Sequence, residues 1–474
     1  SLWGALAKDT QDTGGVFSNV GVSSVNHPGN ELFAFLYRVN YLSNLIIEKL
    51  NNDSAAKEVI IGEAYFWRAW AYTYLIQVWG NPPLIDHILS QDELKPGNAE
   101  TAALWNYVET SLNEAIQRLP EKPSLEGQSA IGGRVTKHSA YALLGKAQLW
   151  SGDNEAAIST LETVINSDLY DLIDNYGDLI HVESDFCKEY LWEWNIEDSD
   201  QANYTFETDG RGRVMAWRSE NVNMPNGMGG NGFGIASTYT KDFYDFMIGH
   251  GEDGKARYLG TIWDYEDILD KFIELEGAAN RTEAIELFWN QSRIVANSQG
   301  YMRAKMYVYA EEVLDYTKDK ERYSKANWPG MRYAEVLLNY AEACALSGMK
   351  TAEGLAALNK VRTRAGLDML GALTLQDVKD EKRAALVLDG ARFLDLIRWG
   401  DAATELAGRG NVLYNFLGYE EGTNLENGSP ADYFITQEPV QGSQDFIVGR
   451  DEHFPYPYSE ILLNENLEQN PGWQ

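Results

Sequence analysis

The stretch at residues 60–84, IIGEAYFWRAWAYTYLIQVWGNPPL, decides the fold of this 474-residue chain. Apolar residues recur in it every three or four positions, which predicts a helix that ends at Gly80 and Pro82. The apolar side chains cover almost the whole circumference, so other helices must pack on several sides. We therefore expect its aromatic residues to belong to the core and not to a ligand platform. They are Tyr65, Phe66, Trp67, Trp70, Tyr72, Tyr74 and Trp79.

Amphipathic segments elsewhere in the chain supply the neighbours that such a helix needs. Apolar stripes at helical spacing predict helices over 31–50, 101–120, 134–153, 154–167, 332–348, 351–366 and 374–403. Two helix pairs match when Gly152 is aligned with Gly348, because Ala147 then falls on Ala343. A small residue shortly before a turn glycine is typical of tetratricopeptide-type hairpins, in which two antiparallel helices approach closely.

The segment between the two hairpins, about 168–329, has a different pattern. It is rich in Gly, Asn, Asp and aromatic residues. EYLWEWNIED (189–198) alternates like a strand, STYTKDFYDFM (237–247) predicts a short helix, and YMRAKMYVYA (301–310) predicts a pair of strands. Loops inserted into a rigid scaffold often carry function, so we expect the ligand site in this insert.

Together these segments predict a mostly α fold. Tetratricopeptide-type helical hairpins form an α-α superhelix, and a loop-rich insert contains short strands. We expect one domain over 1–474, with a helical scaffold at about 31–167 and 330–400 and an irregular segment at 404–474.

Composition excludes several classes of function. The net charge of -32 repels nucleic-acid phosphates and anionic lipid headgroups. No run of eighteen uninterrupted apolar residues predicts a membrane-spanning helix. The two cysteines, Cys187 and Cys344, form neither a disulfide framework nor a CxxC metal motif.

Catalytic motifs are also missing from the sequence. The six histidines are scattered without an HExxH pair, and no GxSxG motif occurs. Among 71 acidic residues, carboxylate pairs at some spacing are inevitable and do not indicate a glycosidase. We expect no catalytic residue and no cofactor, and the sequence offers no candidate metal ligand.

Six segments, taken in order, carry a resemblance to a known family. They are GEAYFWRAWAYTYLIQVWGNPPL, RVTKHSAYALLGKAQLWSGD, GMRYAEVLLNYAEA, LNKVRTRAGL, EKRAALVLDGARFLDLIRWG and PYPYSEILLNENLEQNPGW. In sequence and order they resemble the signature segments of the SusD/RagB family.

The resemblance implies a non-catalytic lipoprotein on the outer surface of a Gram-negative outer membrane. Such proteins bind oligosaccharides or polysaccharides, and sometimes peptides, and close over a TonB-dependent transporter of the SusC type. The chain opens with Ser1 and has no acylatable cysteine at its front, so we expect the lipid anchor in a longer precursor. A peptide-binding or mainly structural lid subunit is the alternative, and a helical glycoside hydrolase is a third reading.

A glycan site needs flat rings that stack on sugar C–H faces and polar groups that meet the hydroxyls. Rings on loops meet this need better than rings between helices, which favours the insert. The candidate ligand-binding residues are Trp217, Arg218, Asn221, Trp263, Trp289, Asn290, Tyr307 and Tyr309. Trp194, in a strand-like segment, is left out of the candidates, and we expect Trp328, next to a signature segment, to be structural.

Overall fold

The computed structural model describes residues 6–10, 24–25, 27–127, 129–196, 221–225, 238–312, 324–409, 411–439 and 445–473. The helices are α1 (Gly29–Lys49), α2 (Ala55–Trp79), α3 (Thr101–Arg118), α4 (Lys137–Ser151), α5 (Asn154–Ile165), α6 (Lys241–Gly249), α7 (Ala256–Leu259), α8 (Tyr265–Glu276), α9 (Arg281–Phe288), α10 (Tyr333–Ser347), α11 (Thr351–Arg364), α12 (Leu375–Ala385), α13 (Arg392–Trp399), α14 (Ala402–Glu405) and α15 (Tyr458–Leu463). The strands are β1 (Tyr190–Trp194), β2 (Thr238–Tyr239), β3 (Ile262–Trp263), β4 (Val295–Ala296), β5 (Tyr301–Arg303), β6 (Trp328–Arg332), β7 (Val412–Tyr419) and β8 (Tyr433–Pro439). The mostly helical fold that the sequence predicts is confirmed.

Helix α2, which contains most of the quoted stretch, packs against α1, α3 and α4 in the larger of the two main cores. Phe66, Tyr72 and Trp79 are each 0% exposed, as expected for a helix with several helical neighbours. Trp67, Trp70 and Tyr74 are only partly buried, so the expectation of core burial is wrong for them. The side of α2 that carries them meets β1, where the Trp194 ring contacts those of Trp67 and Trp70.

The two hairpins, α4–α5 and α10–α11, lie side by side because α5 packs against α10. Gly152 and Gly348 end the first helix of each with φ of 89° and 72°, a left-handed conformation that glycine adopts without strain. The helices of the first hairpin approach closely at Gly145, where an added Cβ would lie 2.4 Å from Leu161 Cγ. The close approach is thus at Gly145, while the aligned alanines Ala147 and Ala343 are both fully buried.

The segment 374–403 forms two helices and not one, so that prediction is wrong. Helix α12 ends at Ala385, and α13 begins at Arg392. Between them Leu388 and Gly390 have φ of 66° and 89°. The turn places Asp389 against the cations Arg332 and Lys305, which the helical pattern of the segment does not reveal.

The insert forms a second core with the three-stranded sheet β2-β5-β3 and the surrounding helices α6, α8 and α9. Only one strand, β5, forms in 301–310, so the predicted pair of strands there is wrong. The predicted strand in 189–198 exists as β1, which pairs with β6 of the scaffold. In the segment expected to be irregular, β7 and β8 pair with each other and join β4 in a sheet.

Candidate functional site

Several residues predicted to bind ligand lie in the second core. Trp263 and Trp289 are 4% and 7% exposed. Trp289 Nε1 donates a hydrogen bond to Tyr265 Oη at 2.9 Å, and Trp263 Nε1 donates to the Leu259 carbonyl at 2.9 Å. Rings held in this way offer no free face to a sugar, so the expectation that they are exposed is wrong.

Trp217 and Arg218 lie outside the described residues. Asn221 and Asn290 are brought together, since the backbone N–H of Asn290 donates a hydrogen bond to the backbone carbonyl of Asn221 at 3.0 Å. Asn221 Nδ2 also donates to the Ile294 carbonyl at 2.7 Å. Asn290 is exposed, and Asn221 is half-exposed. The two asparagines therefore lie next to each other at the protein surface, and their role in binding stays a prediction.

Tyr307 and Tyr309 do not lie in a strand, yet their rings meet edge to face with centroids 5.1 Å apart. The Tyr307 hydroxyl donates to the Pro225 carbonyl at 2.6 Å, and the Tyr309 ring lies 5.0 Å from that of His181. Both tyrosines are half-buried. They are chain neighbours of Met306, which lines the cavity described below.

A different set of rings forms a continuous, partly exposed surface, here called the aromatic surface. It consists of Trp67, Trp70, Tyr74, Trp194 and Trp328. Trp194 is 38% exposed, and its centroid lies 6.2 Å from that of Trp67 and 5.9 Å from that of Trp70. Trp70 in turn lies 5.0 Å from Tyr74. The ring planes are inclined to one another, which gives the surface several differently oriented faces.

One helix and one pair of strands hold this surface in place. Trp67, Trp70 and Tyr74 occupy successive turns of one stripe of α2. Trp194 and Trp328 are directly opposite each other in the β1–β6 pair, so their side chains share one face of it. Rings carried by a rigid helix and a strand pair are positioned before any ligand arrives.

A cavity of about 280 Å³ opens beside the rings. Trp70, Tyr74, Trp194 and Trp328 line it together with apolar side chains that include Met306. Its polar lining includes Arg332, Glu335 and Asp389. A concave, mainly apolar site with a few polar groups is the usual form of a small-ligand site in proteins.

The carboxylates of the cavity are held in ion pairs. Glu335 Oε1 lies 2.8 Å from Lys146 Nζ, and Asp389 Oδ1 lies 2.7 Å from Lys305 Nζ. Burial alone would raise the pKa of Asp389, but Arg332 and Lys305 hold it below its usual value. Asp389 is therefore ionised and charge-compensated, so the cavity suits a neutral ligand that accepts hydrogen bonds from cations or donates them to carboxylates.

Two further searches bear on the class of site. Within the described residues, no group of three or more His, Cys, Asp and Glu side chains has an arrangement suited to a metal ion. No helix in the same part of the chain combines the length and apolarity needed to cross a membrane.

Comparison with known proteins gives a consistent picture. The profile of the SusD family matches residues 188–473, and a profile described as "Starch-binding associating with outer membrane" matches residues 16–149. A SusD-like protein of Bacteroides ovatus is 25% identical over 92% of this chain and 79% of its own length. The starch-binding protein SusD of Bacteroides thetaiotaomicron is 23% identical over 87% of this chain and 72% of its own.

Solved structures share the fold. A laminarin-binding SusD-like protein superimposes with a TM-score of 0.76 at 23% identity, covering 99% of this chain and 94% of that protein. Surface glycan-binding protein A of Bacteroides thetaiotaomicron, in complex with laminarihexaose, gives a TM-score of 0.76 at 21% identity, covering 99% and 93%. Because the first profile alone spans more than half of the sequence, this chain belongs to the SusD family.

Proposed function

We propose that this protein binds oligosaccharides or polysaccharides at the aromatic surface and delivers them, unchanged, for import. The observation that carries the proposal is the run of inclined, partly exposed rings from Trp67 to Trp194, set beside a cavity with fixed polar groups. Pyranose rings expose flat C–H faces that stack on indoles, while their hydroxyls need polar partners in the ring plane.

Affinity for one glycan chain should be weak, on the order of micromolar to millimolar, because an open surface leaves much of the ligand hydrated. The inclination between the rings supports a ligand that turns along its length. Each indole would meet a different sugar unit, and affinity should rise with chain length until the surface is covered.

The charges around the cavity support a non-catalytic role. A retaining or inverting glycosidase needs one carboxyl group with a raised pKa as proton donor. The pKa of Asp389 is held low by Arg332 and Lys305, and Glu335 is bound by Lys146. The acids that line the cavity are thus committed to ion pairs, which supports capture of the glycan without hydrolysis.

The names of related proteins support the ligand class and the setting. One relative is a starch-binding protein, and structural neighbours bind laminarin or hold laminarihexaose. We infer for this chain an outer-membrane, surface-exposed location with a lipid anchor in its precursor, and a SusC-like TonB-dependent transporter as partner. Hand-over to such a partner explains why weak, reversible binding is sufficient.

One observation favours a second candidate, a lid subunit that binds basic peptides. The net charge of -32 attracts cationic ligands and would steer them to the protein at low salt. Such binding would weaken as ionic strength rises, whereas stacking on a neutral glycan would not.

The test is affinity electrophoresis and isothermal titration of the full chain against a panel of neutral polysaccharides. A Trp70→Ala/Trp194→Ala variant should lose the binding that the unmodified protein shows. Phe434→Ala, which removes an exposed ring outside the aromatic surface, is the matched control and should bind normally. Binding that survives in the double variant but disappears on changing Asn221 and Asn290 to Ala would move the site to the surface around those two asparagines.

A further inference from the structure

An arginine without a protein acceptor lies inside the insert. Arg303, on β5, is 3% exposed. Within the described part of the chain, no atom accepts a hydrogen bond from its Nε, Nη1 or Nη2, although all three are buried. A guanidinium cannot lose its proton at ordinary pH, so burial without a counter-charge is costly. Burial also lowers the pKa of Arg303 to about 10.

A hydroxyl group on the neighbouring strand is in the same situation. Tyr239 Oη is buried and makes no hydrogen bond within the described residues. Tyr239 pairs with Tyr301, two residues before Arg303 on β5, so Tyr239 and Arg303 leave the sheet on the same side. Because β2 and β5 are adjacent, such diagonal neighbours are within reach of each other when their side chains are aromatic or long.

Two buried carboxylates, Asp9 and Asp389, are already paired with other cations. Asp9 accepts a hydrogen bond from Arg383 at 3.0 Å, and Asp389 binds Lys305 and Arg332. Neither carboxylate pairs with Arg303. The charge of Arg303 is therefore not compensated by these two acids, which are paired with other cations.

We propose that Arg303 and Tyr239 form a buried binding site for a small monovalent anion, of which chloride is the natural occupant. An anion accepts hydrogen bonds from the guanidinium and from the tyrosine hydroxyl while it also supplies the missing charge. Water would satisfy the donors but would leave the arginine uncompensated. The net charge of -32 repels anions from the protein as a whole, so retention here depends on these local donors.

The bound anion stabilises the insert, because it binds the folded protein and not the unfolded chain. At saturating concentrations, each tenfold rise in chloride should raise the unfolding midpoint of a chain this long by about 1 °C. Sodium gluconate at equal ionic strength should not replace chloride, since its anion is too large for an enclosed site.

The test combines crystals of the full chain grown in sodium bromide with thermal unfolding in chloride and in gluconate. We expect an anomalous bromide peak in contact with the Arg303 guanidinium, and a chloride-dependent midpoint that is lost in Arg303→Met. Arg38→Met, at an exposed arginine on α1, is the matched control and should keep the dependence. If Arg303→Met does not fold, Tyr239→Phe, which removes one donor, should weaken the dependence. Water alone beside Arg303, or equal midpoints in chloride and gluconate, would overturn the proposal.

Discussion

Removing the indole of Trp194 should weaken glycan binding by an amount that the structure allows us to work out. A tryptophan side chain presents up to about 250 Å² of surface, and 38% exposure leaves about 95 Å² for a ligand. A sugar that stacks on one face would cover about half of that area. At about 25 cal/mol per Å², the loss is about 1.2 kcal/mol, which corresponds to about sevenfold in the dissociation constant. Covering the whole exposed area would give about 2.4 kcal/mol, or about fiftyfold.

The assay is titration of Trp194→Ala with the polysaccharide that the unmodified protein binds best. Trp194 ends β1 and lies at the edge of the core, so the variant should fold, and its circular dichroism and melting curve check this. Phe434→Ala removes a comparably exposed ring, 45% exposed, from β8 and should leave affinity unchanged. An affinity that stays within twofold in Trp194→Ala, or falls equally in both variants, would refute the aromatic surface as the site.

Three further predictions concern stability. Glu342 is 0% exposed and accepts hydrogen bonds from Lys382 Nζ at 2.5 Å and from Arg398 Nη1 at 2.6 Å. Glu342→Gln leaves these two buried cations undercompensated and should lower the free energy of unfolding, measured with denaturant, by about 3–5 kcal/mol. The control Glu353→Gln, at an exposed position, should cost little. Burial raises the pKa of Glu193 from 4.5 to about 7, so its protonated form stabilises the fold below pH 4.5 and this contribution, on the order of 1–3 kcal/mol, is lost as pH rises through 7. Melting curves from pH 5 to 8 should therefore slope less in Glu193→Gln, and an unchanged slope would contradict the assignment. Gly145→Val drives new atoms into Leu161 and should cost about 1–3 kcal/mol or more, while the same change at the exposed Ala352 should be mild.

Helices were predictable from the sequence because their signal is local. The apolar period of 3.6 residues is complete within each segment, and the left-handed turn glycines Gly152 and Gly348 punctuate it. The break after Ala385 was not predictable, since Leu388 adopts φ of 66° in a turn where Asp389 meets two cations from other segments. Such a turn depends on contacts between residues far apart in the chain.

The candidate site was harder to predict for the same reason. Trp289 sits beside two amides in the sequence, which favours a loop, but Phe416 and Tyr265 from other segments enclose it. Trp70 sits in an apolar helix, which favours the core, but its three helical neighbours leave it only partly buried. Whether a ring is exposed depends on which side of its helix or strand the neighbouring elements cover. Apolar periodicity does not show which side that is. The same holds for Trp194, which becomes exposed only at the end of the otherwise buried strand β1.

The position of the aromatic surface has a consequence for how specificity arises in this protein. Its rings belong to α2 and to the β1–β6 pair, so helix packing fixes their spacing and inclination. Another part of the insert reaches the same cavity through Met306, and Lys305 beside it binds Asp389 and donates to the Val387 carbonyl at 2.6 Å. This segment is thereby fixed to the turn between α12 and α13 at the edge of the site. Stacking geometry can thus stay constant while changes near Lys305 and Met306 alter which hydroxyl groups are recognised, and affinity and selectivity for glycans become separable by mutation.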